Sequence, residues 1–526
     1  MRKLSLFFAA MLACAQPPAR LAPGYDSIGT PRLKADLTFL SSEALDGRLS
    51  LSRGSEVAIQ WIASEFAKAG LKPAAGDSFL QPVPLIEFTP DRQLTTLSIA
   101  RDGQPAETFH APNAMSNFPN DVSLGGEVVF AGYGITAPEL NYDDYAGINA
   151  RGRIVLIFNH EPQENNAASV FNGIGNTRYA NNNYKLFNAQ RHGAIAVLTM
   201  PDPNHQGPQR RVTAATARLS PQALADGGPA IPLFTVGALV SDALFAAVGK
   251  RSMEVQHAID AKAAPASFEI PGVRVDLHTA TATRRRGTSF NVVGWIEGSD
   301  PLLKDETIVF SGHFDHDGSG PAGVYQGADD NGSGTVGVVA LAHAFAANPV
   351  KPKRSLLFIV FAAEERGLLG SYYYASHPLR PLATTRAQIN FDMIGRNEAA
   401  DPRVITDISA DTTNQLGLIG TDYSPDYRET VERQNKTVGL NLTYKWDLDS
   451  FNGILFRSDQ YPFLLHDVPA IWWFTGFHPD YHQVTDTVEK INFDKMAKIL
   501  KLAYLSGFEF ADEAHPPRLE PRAKAK

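Results

Sequence analysis

Two histidines and several acids are spaced so that they could share metal ions. His313 follows the apolar run Thr307–Ser311, and Glu364 and Glu365 follow Leu356–Ala363. Asp392 ends Gln388–Phe391, and His482 lies beyond Ala470–Thr475. Each group stands at the carboxyl side of a strand-like run, where open α/β sheets bind their ligands. A fifth segment, Gly327 to Gly334 with Asp329 and Asp330 inside it, leads into a helix-like run near Thr335. Its glycines permit the sharp turns that aim a carboxylate inward.

Taken singly, most of these residues have a structural reading. A histidine after a strand can be a plain hydrogen-bonder. Glu364-Glu365 could open a solvated helix, where acids suit the dipole. Asp329-Asp330 beside Asn-Gly is ordinary turn chemistry. Asp392 is harder to dismiss, because an acid at the end of an apolar strand is costly to bury without a partner or a metal. In combination, two imidazoles and three carboxylates suit zinc better than calcium or magnesium, which prefer oxygen shells. Five protein ligands exceed what one open catalytic site uses, so two metals are expected. In each acidic pair, one residue can bind metal while its neighbour handles protons.

The elements that must position these groups form two patterns. Residues 24 to about 90 read as helices and turns, with apolar spacing in 36–40 and 56–69 and a stop at Gly70. The stretch 113–268 reads as a strand-rich α/β module with its own core. Arg284-Arg285-Arg286 reads as a solvated loop between the units. From 288 to 512, strands alternate with helices, including a helix over Gly334–Ala347, a buried strand over 355–363 and a closing helix over 492–510. That alternation predicts an α/β fold, a mixed and mostly parallel sheet with helices on both faces. Ile471–Phe474 reads either as core strand or as a pocket wall. The tail 513–526, rich in Pro, Lys and Arg, reads as disordered.

The segments SGHFDHDG, GADDNGSG, FAAEERGLLGS, INFDMIGR and DYHQVTDT resemble, in this order, those of family 28 of the metallopeptidases. That family includes two-zinc aminopeptidases and glutamate carboxypeptidase II. The opening stretch 24–112, with LTFLSSEALDGR and GLKPAAGDSFLQ, is similar to the N-terminal part of the family's peptidase domain. VFAGYGITAPELNYDDYAGINARGRIVLI is similar to the protease-associated domain inserted in some members. The resemblance implies that Asp330 bridges two zinc ions. His313 and Asp392 would complete one, and Glu365 and His482 the other. It further implies Glu364 as general base, Tyr481 as oxyanion donor and Asp315 as the acid that holds a ligand histidine by a hydrogen bond. Arg457 and Asp459 match a segment lining the substrate site. His316, His343, His377 and His478 are left as structural or surface residues. Hydrolysis of N-terminal amino acids from peptides is the function implied. A carboxypeptidase or dipeptidase of the same family, a glutaminyl cyclase and an inactive binding protein stand as alternatives.

Composition limits the partners. The 48 basic and 56 acidic residues leave a net charge of -8, which argues against nucleic acid. Arg2, Lys3 and the apolar run 4–13 read as a signal peptide over 1–15, so the chain is expected to be exported, periplasmic or secreted. Cys14, the only cysteine, falls where a lipoprotein would be lipidated, so a lipid anchor is one option and an intramolecular disulfide is excluded. No later run is long and uninterrupted enough to span a membrane.

Overall fold

The computed structural model describes residues 16–203, 219–405, 407–449 and 452–520. The expected signal peptide and Cys14 lie outside the described residues, as does the end of the tail from 521. Among the described residues no helix is long and apolar enough to cross a membrane.

Ser355–Phe361 (SLLFIVF) is buried at every position, as a strand covered on both faces requires. It pairs in parallel with Thr307–His313. That strand pairs in parallel with Thr385–Phe391, which in turn pairs with Ala470–Phe474. These four form the parallel centre of a ten-stranded mixed sheet. The flanks are antiparallel: Thr281–Ile296 on one side and Gln415–Ile419 on the other. Helices Gly334–Ala347 and Phe493–Asp512 pack Leu341, Phe345, Leu500 and Tyr504 against Phe358 and Ile389 on one face. Leu369–Ser376 and Gln460–Leu464 bring Tyr374 and Phe463 against Leu357 and Ile359 on the other. Ile471–Phe474 is buried core strand.

One long strand replaces part of the expected helices and turns. Leu80–Pro90 runs beside Thr281–Ile296 despite Pro82, Pro84 and Pro90. The amide of Phe88 donates to Pro221, so even-numbered residues face the short strand Gln222–Leu224. That strand covers only 85–87. The prolines therefore place their missing donors along a mostly open edge, where a strand tolerates them. Arg284–Arg286 also differ from expectation, lying within the strand Thr281–Ile296 rather than in a loop. Arg284 pairs with Asp121 at 2.8 Å and Arg285 with Glu87 at 2.9 Å.

A second, eight-stranded sheet has its own core around Phe130, Phe158, Leu198 and Phe245. Its strands run from Thr96–Arg101 to Phe268–Thr279, a wider span than 113–268. In Thr96–Arg101 only Leu97 and Ile99 are buried, so too few apolar residues mark that strand in the sequence. The segment 513–520, expected to be disordered, is held in place. Arg354 reaches the Glu513 carbonyl at 2.5 Å, and the Glu520 amide donates to Tyr423 at 2.8 Å. It borders a cleft of about 1190 Å³ that contains none of the expected metal ligands.

Candidate metal centre

The parallel strands end together and deliver acids and histidines to one place. His313 is the last residue of its strand, Asp392 comes directly after Phe391, and Glu364 lies three residues past Phe361. Asp330 sits in an irregular turn ahead of the helix Gly334–Ala347. Asn331 ties that turn to the neighbouring strand end: its amide donates to Phe391, and its oxygen accepts from Gly334 and Met393. Ala363, Met393 and His482, all at the rim of the site, have φ of 55°, 58° and 53°. Left-handed backbone at three such residues is strain of the kind that gathers at functional sites.

Asp330 occupies the middle. Its Oδ1 is 3.6 Å from His313 Nε2, and its Oδ2 is 3.1 Å from His482 Nε2. His313 Nε2 lies 3.5 Å from Asp392 Oδ1, and His482 Nε2 lies 3.5 Å from Glu365 Oε2. Two donors on one tetrahedral zinc, each roughly 2.0–2.1 Å away, stand about 3.3 Å apart. The observed separations fit that spacing. His313 Nε2 is also buried with no hydrogen-bond partner, while Nδ1 faces the Asp315 carbonyl at 3.2 Å. A buried imidazole nitrogen aimed at carboxylates and otherwise unpartnered is what a metal would satisfy.

The structure brings Asp330, not Asp329, into this cluster. Asp329 turns away, accepting from Gly395 at 2.7 Å and meeting His478 at 3.2 Å. Glu364 points its Oε2 to within 3.7 Å of His313 Nε2. Burial raises its pKa well above the usual carboxylate range; His313 opposes this, and Glu365 and Asp392 add to it. Burial works against charge on His313, yet Glu364 and Asp392 outweigh it and push the imidazole well up. Burial would likewise raise Asp330, but the hydrogen bond and charge of His482 hold it well below the ordinary value.

Several placements differ from expectation. Asp315 does not grip His313 through its carboxylate, which is 3.9 Å away. It accepts instead from the backbone of Glu364 at 3.0 Å and Glu365 at 3.3 Å. The acid on a ligand histidine is Asp317, whose Oδ2 is 2.6 Å from His482 Nδ1 and whose Oδ1 accepts from Arg366 at 2.9 Å. His316, assigned to structure or surface, is fully buried with Nδ1 2.8 Å from Glu365 Oε1. Among the described residues, His316–Asp330–Glu365 and Asp317–Glu365–His482 join His313–Asp330–Asp392 as groups whose donor atoms lie within 4.8 Å of one another. The HFDHD spelling of 313–317 was the available signal, since four of its five residues can bind or orient a metal. Tyr481 accepts from Arg457 at 2.9 Å, and that guanidinium lies over Phe477. Asp459 is fully buried, so it can act on the centre's charge but has no surface with which to touch a substrate.

Residues 291–505 match the family model described as peptidase family M28. That segment is similar to the M28 family. Over 213 residues it is 32% identical to a probable leucine aminopeptidase 2 of Aspergillus oryzae, covering 40% of this chain and 38% of that protein. Over 284 residues it is 27% identical to leupeptin-inactivating enzyme 1 of Streptomyces exfoliatus, covering 53% and 57%. The chain thus spans less than two thirds of these curated relatives. An aminopeptidase structure from Aneurinibacillus sp. strain AM-1 aligns over 96% of this chain and 98% of its own, at 20% identity and a TM-score of 0.48. All five expected ligands fall inside the M28 match.

Proposed function

We propose that this chain is an exported, zinc-dependent aminopeptidase with two metals per chain. The observation that carries this reading is Asp330, whose two oxygens each face a different histidine. His313 and Asp392 would hold one ion, Glu365 and His482 the other, and Asp330 both. Zinc bound there would supply Lewis acidity and a water that ionises near neutral pH.

The chain's own residues supply the rest. Glu364, buried with its Oε2 3.7 Å from His313 Nε2, is placed to take a proton from the attacking water and pass it to the leaving amine. Tyr481 would donate its hydroxyl hydrogen bond to the oxygen that becomes negative in the tetrahedral state. Arg457 donates to that hydroxyl at 2.9 Å and so fixes its position. The second sheet would be a protease-associated insertion. Loops and a helix packed on that sheet border, with the turn at Glu365–Gly367 and the helix Leu369–Ser376, an open cleft of about 520 Å³ whose lining includes Phe118, Phe187 and Tyr372. Apolar walls of this kind suit peptide side chains.

Hydrolysis of leucine p-nitroanilide and of its N-acetyl derivative, by protein loaded with zinc, tests the reading. Cleavage confined to the free amine is expected. Preference for the blocked compound, or for a peptide with a free carboxylate, would overturn aminopeptidase in favour of a carboxypeptidase.

A further inference from the structure

Far from the centre in sequence, the turn Glu43–Arg48 contributes a guanidinium with no solvent exposure. Arg48 Nε donates to the Phe314 carbonyl at 2.7 Å. Nη1 donates to Leu40 at 2.8 Å and to Gln326 at 2.7 Å, and Nη2 donates to Gly327 at 2.8 Å. Phe314 follows His313, and Gly327 opens the turn that carries Asp330. One side chain therefore ties together the two loops that deliver a histidine to one expected zinc and the bridging acid to both. The backbone adds two further ties, His316 to the Arg48 carbonyl at 3.4 Å and Gly318 to the Gly47 carbonyl at 3.1 Å. Only glycine fits at 47, where φ is 63° and a Cβ would stand 2.3 Å from the Gly318 oxygen.

Charge reinforces the geometry. Asp486, Asp315, Asp330 and Glu365 all act on the guanidinium, which burial alone would disfavour. A buried cation hydrogen-bonded to four carbonyls spends its donors on geometry and leaves its charge to the surrounding acids. Those acids would otherwise repel one another before a metal arrives.

We propose that Arg48 is a positioning residue for the metal centre, holding the His313 and Asp330 loops at ligand spacing before zinc binds. The inference rests on the zinc reading above, and Arg48 touches no substrate. Its consequence is a preformed site whose zinc affinity depends on a residue that ligates nothing. Orienting groups behind metal ligands typically change affinity by roughly 10–100-fold.

The test compares the full-length wild type with Arg48→Lys and Arg48→Gln. Zinc affinity is measured by competition with a chelator, kcat and KM with leucine p-nitroanilide at saturating zinc, and folding by circular dichroism. Lysine keeps the charge but lacks the planar fork, so both variants are expected to fold, bind zinc about 10–100-fold more weakly, and lose kcat more than KM. Folded variants with wild-type zinc affinity and kcat, and only a lower Tm, would overturn the proposal. So would two variants that fail to fold in excess zinc, since Arg48 would then serve the fold at large. A wild type that binds no zinc would defeat the zinc reading and this inference with it.

Discussion

Asp317 Oδ2 stands 2.6 Å from His482 Nδ1, while the opposite nitrogen of that ring faces Asp330 and Glu365. This is a carboxylate behind a candidate metal-binding imidazole, an arrangement that fixes the tautomer and makes the ligand more basic. Asp317→Asn should therefore weaken zinc at the His482 side by roughly 10–100-fold while leaving the fold intact. Zinc titration of the variant checks this, and unchanged affinity at both positions would contradict it.

Glu364→Gln preserves shape and removes the proton acceptor. The expected outcome is wild-type zinc content with kcat lowered by roughly 10²–10⁴, the usual contribution of a positioned general base. Near-normal turnover of an aminoacyl nitroanilide would remove Glu364 from that role.

Asp330→Ala and Asp329→Asn should separate cleanly. The first is expected to lose both metals, because each oxygen of Asp330 faces a different histidine. The second should keep both, at a cost of about 1–3 kcal/mol for disturbing the buried bonds to Gly395 and Ser333. Two tightly held zincs in the Asp330→Ala protein would refute the bridging assignment.

The second sheet offers a test independent of metal. Asp144 is buried, and burial raises its pKa from 3.8 to about 7, against hydrogen bonds from Ile135, Tyr142 and Tyr133. The folded protein then keeps a proton that the unfolded chain releases above about pH 4. This contribution to stability is full below the unfolded pKa and is lost as pH rises toward 7. The urea midpoint of the wild type should fall relative to that of Asp144→Asn between pH 4 and pH 8. Parallel midpoints across that range would contradict the shift.

Much of the centre was legible because strand ends and acids alternate in a fixed order. The strand ends before His313, Glu364 and Asp392 could be read from apolar runs, and the helix Gly334–Ala347 from its composition. His316 and Asp317 were not, because their roles depend on how a loop turns after its strand ends, and one residue of rotation decides which side chain faces inward. Arg48 ends the family-like segment LTFLSSEALDGR, but its role was not legible for a different reason: its partners are backbone carbonyls at 40, 314, 326 and 327, which carry no residue signature. The strand Leu80–Pro90 was hidden by prolines that are harmless only because their side of the strand is mostly unpaired.

The zinc content of the purified chain, measured by elemental analysis after dialysis against metal-free buffer and zinc reloading, tests the central claim most directly. The account predicts two zinc ions per chain. One ion, or none, would contradict a centre in which Asp330 is shared between two metals.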